Sequence, residues 1–220
     1  MKILVIYNTH GDEIRMSTRI PFDTIIGNPE ASSKNVRYIE SDLNRSFNGK
    51  TETLEEKRAQ YLIPIIQSYD LVLDIHSTVT GVVDACIVVG DTKVEREYAR
   101  YIGAKNYIVM PEMKHSLIAH AKNGIAIELG TNDDVSLYEE ALRRIEKKEK
   151  GRAPNKYMCV GSEVKPEGYT THLKNYENVS KGQIIASKPH HVRVASENFT
   201  TFLWGNDQYE DIFGWKLMKQ

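Results

Sequence analysis

His10 and Glu13 stand three residues apart in Tyr7-Asn8-Thr9-His10-Gly11-Asp12-Glu13, directly after the apolar run Ile3-Leu4-Val5-Ile6. An imidazole and a carboxylate on one short turn offer two of the roughly four ligands that a zinc ion takes at about 2 Å. A third candidate, His76, ends a second apolar run, Leu71-Val72-Leu73-Asp74-Ile75. Two histidines and one glutamate leave a coordination position open, which is the arrangement of a catalytic zinc and not of a structural one. Taken alone, His-x-x-Glu in a chain with seven histidines also reads as a polar turn after a strand.

Five segments in sequence resemble a known family, the succinylglutamate desuccinylase/aspartoacylase group of zinc amidohydrolases, relatives of the zinc carboxypeptidases. Thr9-His10-Gly11-Asp12-Glu13 resembles its Thr-His-Gly-Asn-Glu box, and Gly27-Asn28-Pro29-Glu30-Ala31 its Asn-Pro-x-Ala turn. Arg37 through Asp42-Leu43-Asn44-Arg45-Ser46-Phe47 resembles its Arg-Tyr-x-x-x-Asp-Leu-Asn-Arg-x-Phe segment; Asp74-Ile75-His76-Ser77-Thr78 and Ile127-Glu128-Leu129-Gly130 follow in the same order. The resemblance implies one Zn2+ per chain on His10, Glu13 and His76, with Glu128 activating the water. It also implies that Arg37 polarises the scissile carbonyl and that Asn44 with Arg45 holds the α-carboxylate of the amino-acid portion. Tyr209, in Gly205-Asn206-Asp207-Gln208-Tyr209, resembles a tyrosine that reaches the substrate. His115 is the nearest counterpart of the arginine with which aspartoacylases read an acidic side chain. The family carries two glycines where this chain has Tyr7-Asn8, a change that alters backbone freedom beside the metal and removes no ligand.

The residue chemistry stands beside that resemblance. A glutamate at a strand end among Ile125, Ala126, Ile127 and Leu129 is expected to have its pKa raised by desolvation, which suits a general base; a solvent-facing Glu128 is the plainer alternative. Arg37 and Arg45 offer planar forks that fit a carboxylate or an oxyanion, although arginines more often end in surface ion pairs. Asp74 and Thr78 flank His76, and either is placed to orient its ring. His120, His172, His190 and His191 show no metal-type spacing and read as surface or packing residues.

Composition bounds the rest. The chain has 220 residues, 40% of them hydrophobic, enough for a sizeable core. Its 29 Lys and Arg against 30 Asp and Glu leave no broad field for nucleic acid or an anionic membrane, while a small, locally charged substrate fits. Cys86 and Cys159 lack metal spacing and read as reduced thiols, so a cytoplasmic location is the default expectation. The first apolar run is too short for a signal-peptide core or a membrane span. The sequence does not fix the oligomeric state and leaves room for a homo-oligomer.

The elements that must position these residues alternate. Apolar runs at 2–7, 22–26, 70–75, 82–89, 107–110 and 125–129 read as strands. Residues 54–68, 93–102 and 135–149 read as helices, the first with a capping box from Thr53 to Glu56 and with Pro64 expected to kink or divide it. Residues 32–50 read as an irregular polar loop and 116–121 as a helical turn. The alternation predicts an α/β fold with a mostly parallel mixed sheet flanked by helices, zinc carboxypeptidase-like, whose strand ends gather His10, His76 and Glu128. Past the charged run at 146–152, short runs at 157–164, 170–173, 183–187, 191–195, 200–204 and 213–218 predict a small all-β unit. The domains expected are therefore 1–150, the zinc-hydrolase unit, and 151–220, a β unit that the resemblance packs near the active site.

The sequence thus points to a zinc-dependent hydrolase that cleaves the amide bond of a small anionic N-acyl amino acid. A metallocarboxypeptidase would use the same ligands and carboxylate clamp on peptides, and a non-catalytic binding module would keep the fold without needing Glu128.

Overall fold

The computed structural model describes residues 1–16, 20–78, 83–205 and 211–220. They form two compact units, Met1–Asn155 and Lys156–Gln220. In the first, strand β1 (Ile3–Tyr7) pairs in parallel with β2 (Asp23–Ile26) on one side and with β3 (Leu71–His76) on the other. β3 pairs in parallel with β6 (Gly124–Glu128). Beyond β6 lies the antiparallel β4 (Ala85–Val88) and then β5 (Asn106–Val109), parallel to β4. β3 and β4 are buried at every position, as continuous apolar runs covered on both faces must be. The α/β class and the mostly parallel mixed sheet follow the reading of the sequence.

Three longer helices cover this sheet, and their ends are written in the sequence. α2 (Leu54–Gln67) and α3 (Lys93–Ile102) both begin with complete capping boxes, Thr53 with Glu56 and Thr92 with Glu95. α3 ends at Gly103, whose φ of +80° is the left-handed conformation that glycine takes without strain. α4 (Val135–Lys147) buries Tyr138, Ala141, Leu142 and Ile145, an i, i+3, i+4, i+7 stripe.

One expectation is narrowed and one corrected here. α2 continues through Pro64 without dividing, because its buried residues Ala59, Leu62 and Ile66 hold both halves to the core. The 32–50 region is less irregular than its composition suggests: α1 (Pro29–Lys34) runs into its start. Asn28 caps this helix by accepting from the Ala31 amide, Pro29 supplies a first-turn residue with no amide to satisfy, and Asn35 at φ +53° ends it. A 3-10 turn, Leu43–Arg45, follows, and another, Leu117–His120, fills the expected helical turn.

The second unit is all-β. β7 (Asn155–Val164), β12 (Ile212–Lys219), β11 (Phe199–Phe202) and β8 (Asn178–Val179) form an antiparallel sheet in that order, and β9 (Ile184–Lys188) pairs with β10 (His191–Val194). Its core gathers Leu173, Val179, Ile185, Phe199, Trp204 and Phe213. The run at 170–173 is no strand, contributing only an isolated bridge from Thr170 to Ser187. Tyr209 lies outside the described residues. Among the described residues no helix is long and apolar enough to cross a membrane.

Candidate active site

The three parallel strands β1, β3 and β6 end at one edge of the first unit's sheet, and each delivers a candidate residue there. Beyond β1 the chain turns through Asn8, which adopts φ +52° at a position where L residues other than asparagine and aspartate are strained. Its side-chain amide donates to the carbonyls of Glu13 (3.0 Å) and Ile14 (3.2 Å), closing the turn that carries His10 and Glu13. The left-handed backbone explains why asparagine serves here. Gly11 is required for another reason: a Cβ on it would lie 2.1 Å from the Ala31 carbonyl carbon, so α1 could not approach. From the end of β3 comes His76, and Glu128 ends β6 as its register partner.

His10, Glu13 and His76 converge, with ligand-capable atoms all within 4.8 Å of one another. Nδ1 of His10 lies 2.7 Å from Glu13 Oε1, and Nδ1 of His76 lies 3.1 Å from both Glu13 oxygens. The outer nitrogens are held as consistently: His10 Nε2 is 3.0 Å from Asp42 Oδ1, and His76 Nε2 is 2.8 Å from Asp74 Oδ2. Thr9 Oγ1 in turn donates to Asp74 Oδ1 at 2.7 Å. With each Nε2–H donating to its carboxylate, a cation that displaced the proton between each Nδ1 and Glu13 would find both Nδ1 lone pairs turned inward, the carboxylate-histidine arrangement that fixes ring orientation at metal centres. Of the two residues flanking His76, Asp74 holds the ring; the Thr78 amide donates to the Gly130 carbonyl instead.

Electrostatics test whether a cation fits. Burial pushes the Glu13 carboxyl up, but the His76 and His10 imidazoles outweigh it and hold the group at about 2. Burial would lower His76, yet Asp74 and Glu13 carry it well above the ordinary imidazole value; burial likewise opposes His10, which Glu13 and Asp42 raise. Two inward imidazoles among buried carboxylates are a place where positive charge is wanted, and nitrogen and oxygen donors of this kind suit zinc. Glu128 is partly buried, and burial pushes its carboxyl up, which the His76 imidazole only partly offsets.

Asp42 is a candidate site residue that sequence spacing did not single out. Besides His10 it accepts from Arg37 NH2 at 3.1 Å, from the Asn44 amide at 2.9 Å and from Arg45 NH1. Burial pushes its carboxyl up, but His10 and then the two guanidiniums hold it well below the usual range. Only the Asp-Leu-Asn-Arg segment itself could have flagged it. The Asn44 side-chain oxygen accepts from the Leu117 amide at 2.9 Å. Glu55, in the first turn of α2, fastens the loop beneath these residues: its carboxylate accepts from the amides of Ile39, Glu40 and Ser41 and from Asn28 Nδ2. His115 is exposed, and its carbonyl accepts from the Phe47 amide.

Known proteins resemble this chain in both sequence and architecture. Residues 15–150 match the succinylglutamate desuccinylase/aspartoacylase catalytic domain. A probable aspartoacylase of Prochlorococcus marinus (strain MIT 9515) is 32% identical over 113 residues, 40% of this chain and 38% of that protein. The aspartoacylase of Xenopus tropicalis is 29% identical over 161 residues, 62% of this chain and 51% of that protein. The chain thus spans about half or less of the length of these curated relatives. Murine aminoacylase 3 superimposes with a TM-score of 0.80 at 22% identity, covering 100% of this chain and 95% of that one. The succinylglutamate desuccinylase of Vibrio cholerae gives 0.78 at 15% identity, covering 100% and 82%. At those identities the structural likeness speaks for the fold.

Proposed function

The chain belongs to the succinylglutamate desuccinylase/aspartoacylase family, and from that premise we propose that it is a zinc-dependent hydrolase cleaving the amide bond of N-acyl amino acids. The observation that carries the reading is the pair of buried histidines whose Nδ1 atoms face one Glu13 carboxylate while Asp42 and Asp74 take their Nε2 atoms. A zinc ion held by His10, Glu13 and His76 would lower the pKa of its water from 15.7 toward about 7 and polarise the scissile carbonyl.

The chain's own groups do the remaining work. Glu128 takes the proton of the attacking water and returns it to the departing amine; its upward-shifted carboxyl suits both transfers. Arg37 donates to the oxygen on which negative charge develops. Asn44 and Arg45 hold the α-carboxylate, which would draw Arg45 from Asp42 toward substrate, and His115 and Tyr209 contribute to side-chain selection. The unit Met1–Asn155 carries the hydrolytic groups.

The test is metal analysis with a hydrolysis screen over N-acetyl, N-succinyl and N-formyl derivatives of acidic, neutral and basic amino acids. One zinc per chain and release of free amino acid are expected, with E128Q slowed by about 10²–10⁴-fold, the usual contribution of a positioned general base. Trimming of peptides from the C-terminus with N-acyl amino acids untouched would replace the reading with a carboxypeptidase. Full activity in E128Q would remove Glu128 from the mechanism.

A further inference from the structure

The buried face of α4 calls for a ring at position 138 but not for a hydroxyl, since Ala141, Leu142 and Ile145 beside it are wholly apolar. Tyr138 is nevertheless a tyrosine, 1% exposed, and its hydroxyl sits among four backbone groups at the ends of β3 and β6. It lies 2.7 Å from the His76 carbonyl and 3.0 Å from the Gly130 carbonyl, and it accepts from the amides of Leu129 (3.2 Å) and Gly130 (3.0 Å). A hydroxyl has one proton to give. The Gly130 carbonyl already accepts from the Thr78 amide at 3.1 Å, so the proton goes to His76 at the shorter distance. One oxygen thereby joins the backbone of a candidate metal ligand to the turn that follows Glu128.

We propose that Tyr138 is a positioning residue that fixes His76 relative to Glu128 through its hydroxyl. The assignment rests on the reading of this edge as a zinc hydrolase site. β3 and β6 are ladder partners as far as His76 and Glu128, but the ladder ends there. Beyond it one backbone bond, from the Thr78 amide to the Gly130 carbonyl at 3.1 Å, still joins the chains, and a strand end held by so few bonds frays without further ties. Ser77 supplies a second tie: its Oγ accepts from the Ile14 amide at 3.0 Å and is hydrogen-bonded to Asn132, whose amide donates to the Asp12 carbonyl at 2.8 Å. That tie lies on the exposed side, whereas Tyr138 works from beneath, where water cannot replace it.

The experiment compares Y138F with I145V, which trims the same buried helix face away from the site. Zinc affinity is read by chelator competition, kcat and KM with whichever N-acyl amino acid the wild type hydrolyses, and melting by circular dichroism. For Y138F, zinc affinity should fall by about tenfold or more, as when groups that orient ligands are removed. Its kcat should fall by about 10–100-fold with KM within about twofold, the mark of misplaced reacting groups. I145V should keep both at comparable melting loss. Y138F matching I145V in zinc affinity and kcat would overturn the proposal. Zinc affinity lost without any wild-type hydrolysis would support Tyr138 while ending the hydrolase reading. Should Y138F not fold, hydrogen exchange in the wild type decides: the Leu129 and Gly130 amides must be protected like the β6 amides, and exchange at loop rates would refute the assignment.

Discussion

Glu55 offers the most direct test of how the active-site loop is held. Its carboxylate, in a residue 1% exposed, takes two donors on each oxygen: Ile39 N (2.7 Å) and Asn28 Nδ2 (3.1 Å) on Oε1, Glu40 N (3.2 Å) and Ser41 N (3.1 Å) on Oε2. Glu55→Gln keeps the shape but turns an NH2 toward two of those donors whichever way the amide is set. Two hydrogen bonds are lost, at about 1–1.5 kcal/mol each because the neighbouring loop can draw on water, which gives about 2–3 kcal/mol. For a chain of this size that is a fall in melting temperature of about 5–10 °C. The pH dependence has a definite sign. Although burial pushes the Glu55 carboxyl up, its four donors hold it below its ordinary value, so its contribution is complete above the unfolded carboxyl pKa of about 4.3 and fades as pH falls through the folded value. Thermal melts of the zinc-loaded wild type and E55Q at pH 7 and at successively lower pH should therefore converge on acidification. Equal melting temperatures at pH 7, or a gap that persists undiminished in acid, would refute the account.

Removing metal by chelation should abolish hydrolysis and lower the melting temperature by an amount that grows with the zinc concentration of the reference sample, since a ligand of the folded state stabilises by mass action. Calorimetric scans across a zinc titration check this, and a melting temperature insensitive to zinc would count against the His10-Glu13-His76 centre. At position 8, alanine should cost more than glycine, by about 1 kcal/mol. Both lose the side-chain bonds to the Glu13 and Ile14 carbonyls, but only alanine meets the steric penalty of φ +52°. Urea midpoints of N8A and N8G measure the difference; equal values would show that the turn relaxes out of the left-handed conformation.

Much of this arrangement was legible in the sequence because it is local. The His10-Glu13 pair lies on one turn, and the runs ending in His76 and Glu128 announce strands whose ends meet once the sheet is parallel. The capping box of α2 marks its start to the residue. What was not legible is spatial. Asp42 gathers His10, Arg37 and Arg45 from separations of 32, 5 and 3 residues, and no spacing rule reports that. α1 was hidden because Asn28-Pro29 marks a turn and a helix start equally well. Tyr138 reads as one more apolar position at helical spacing, and only the structure shows what its oxygen touches.

The register between β3 and β6 has a consequence for anyone redesigning the protein. His76 and Glu128 face each other as rungs of the same ladder, so their separation is set first by main-chain geometry, with the Tyr138 hydroxyl holding the turn that follows. The loop that follows Thr78 should accept exchange for sequences of other lengths and chemistries, whereas the turn after Glu128, tied to Tyr138 and Ser77, should not. A single residue inserted within either strand, by contrast, would turn every later side chain to the opposite face and dismantle the pair outright. New substrate preferences are thus to be sought in that loop, leaving the rungs and the turn after Glu128 untouched.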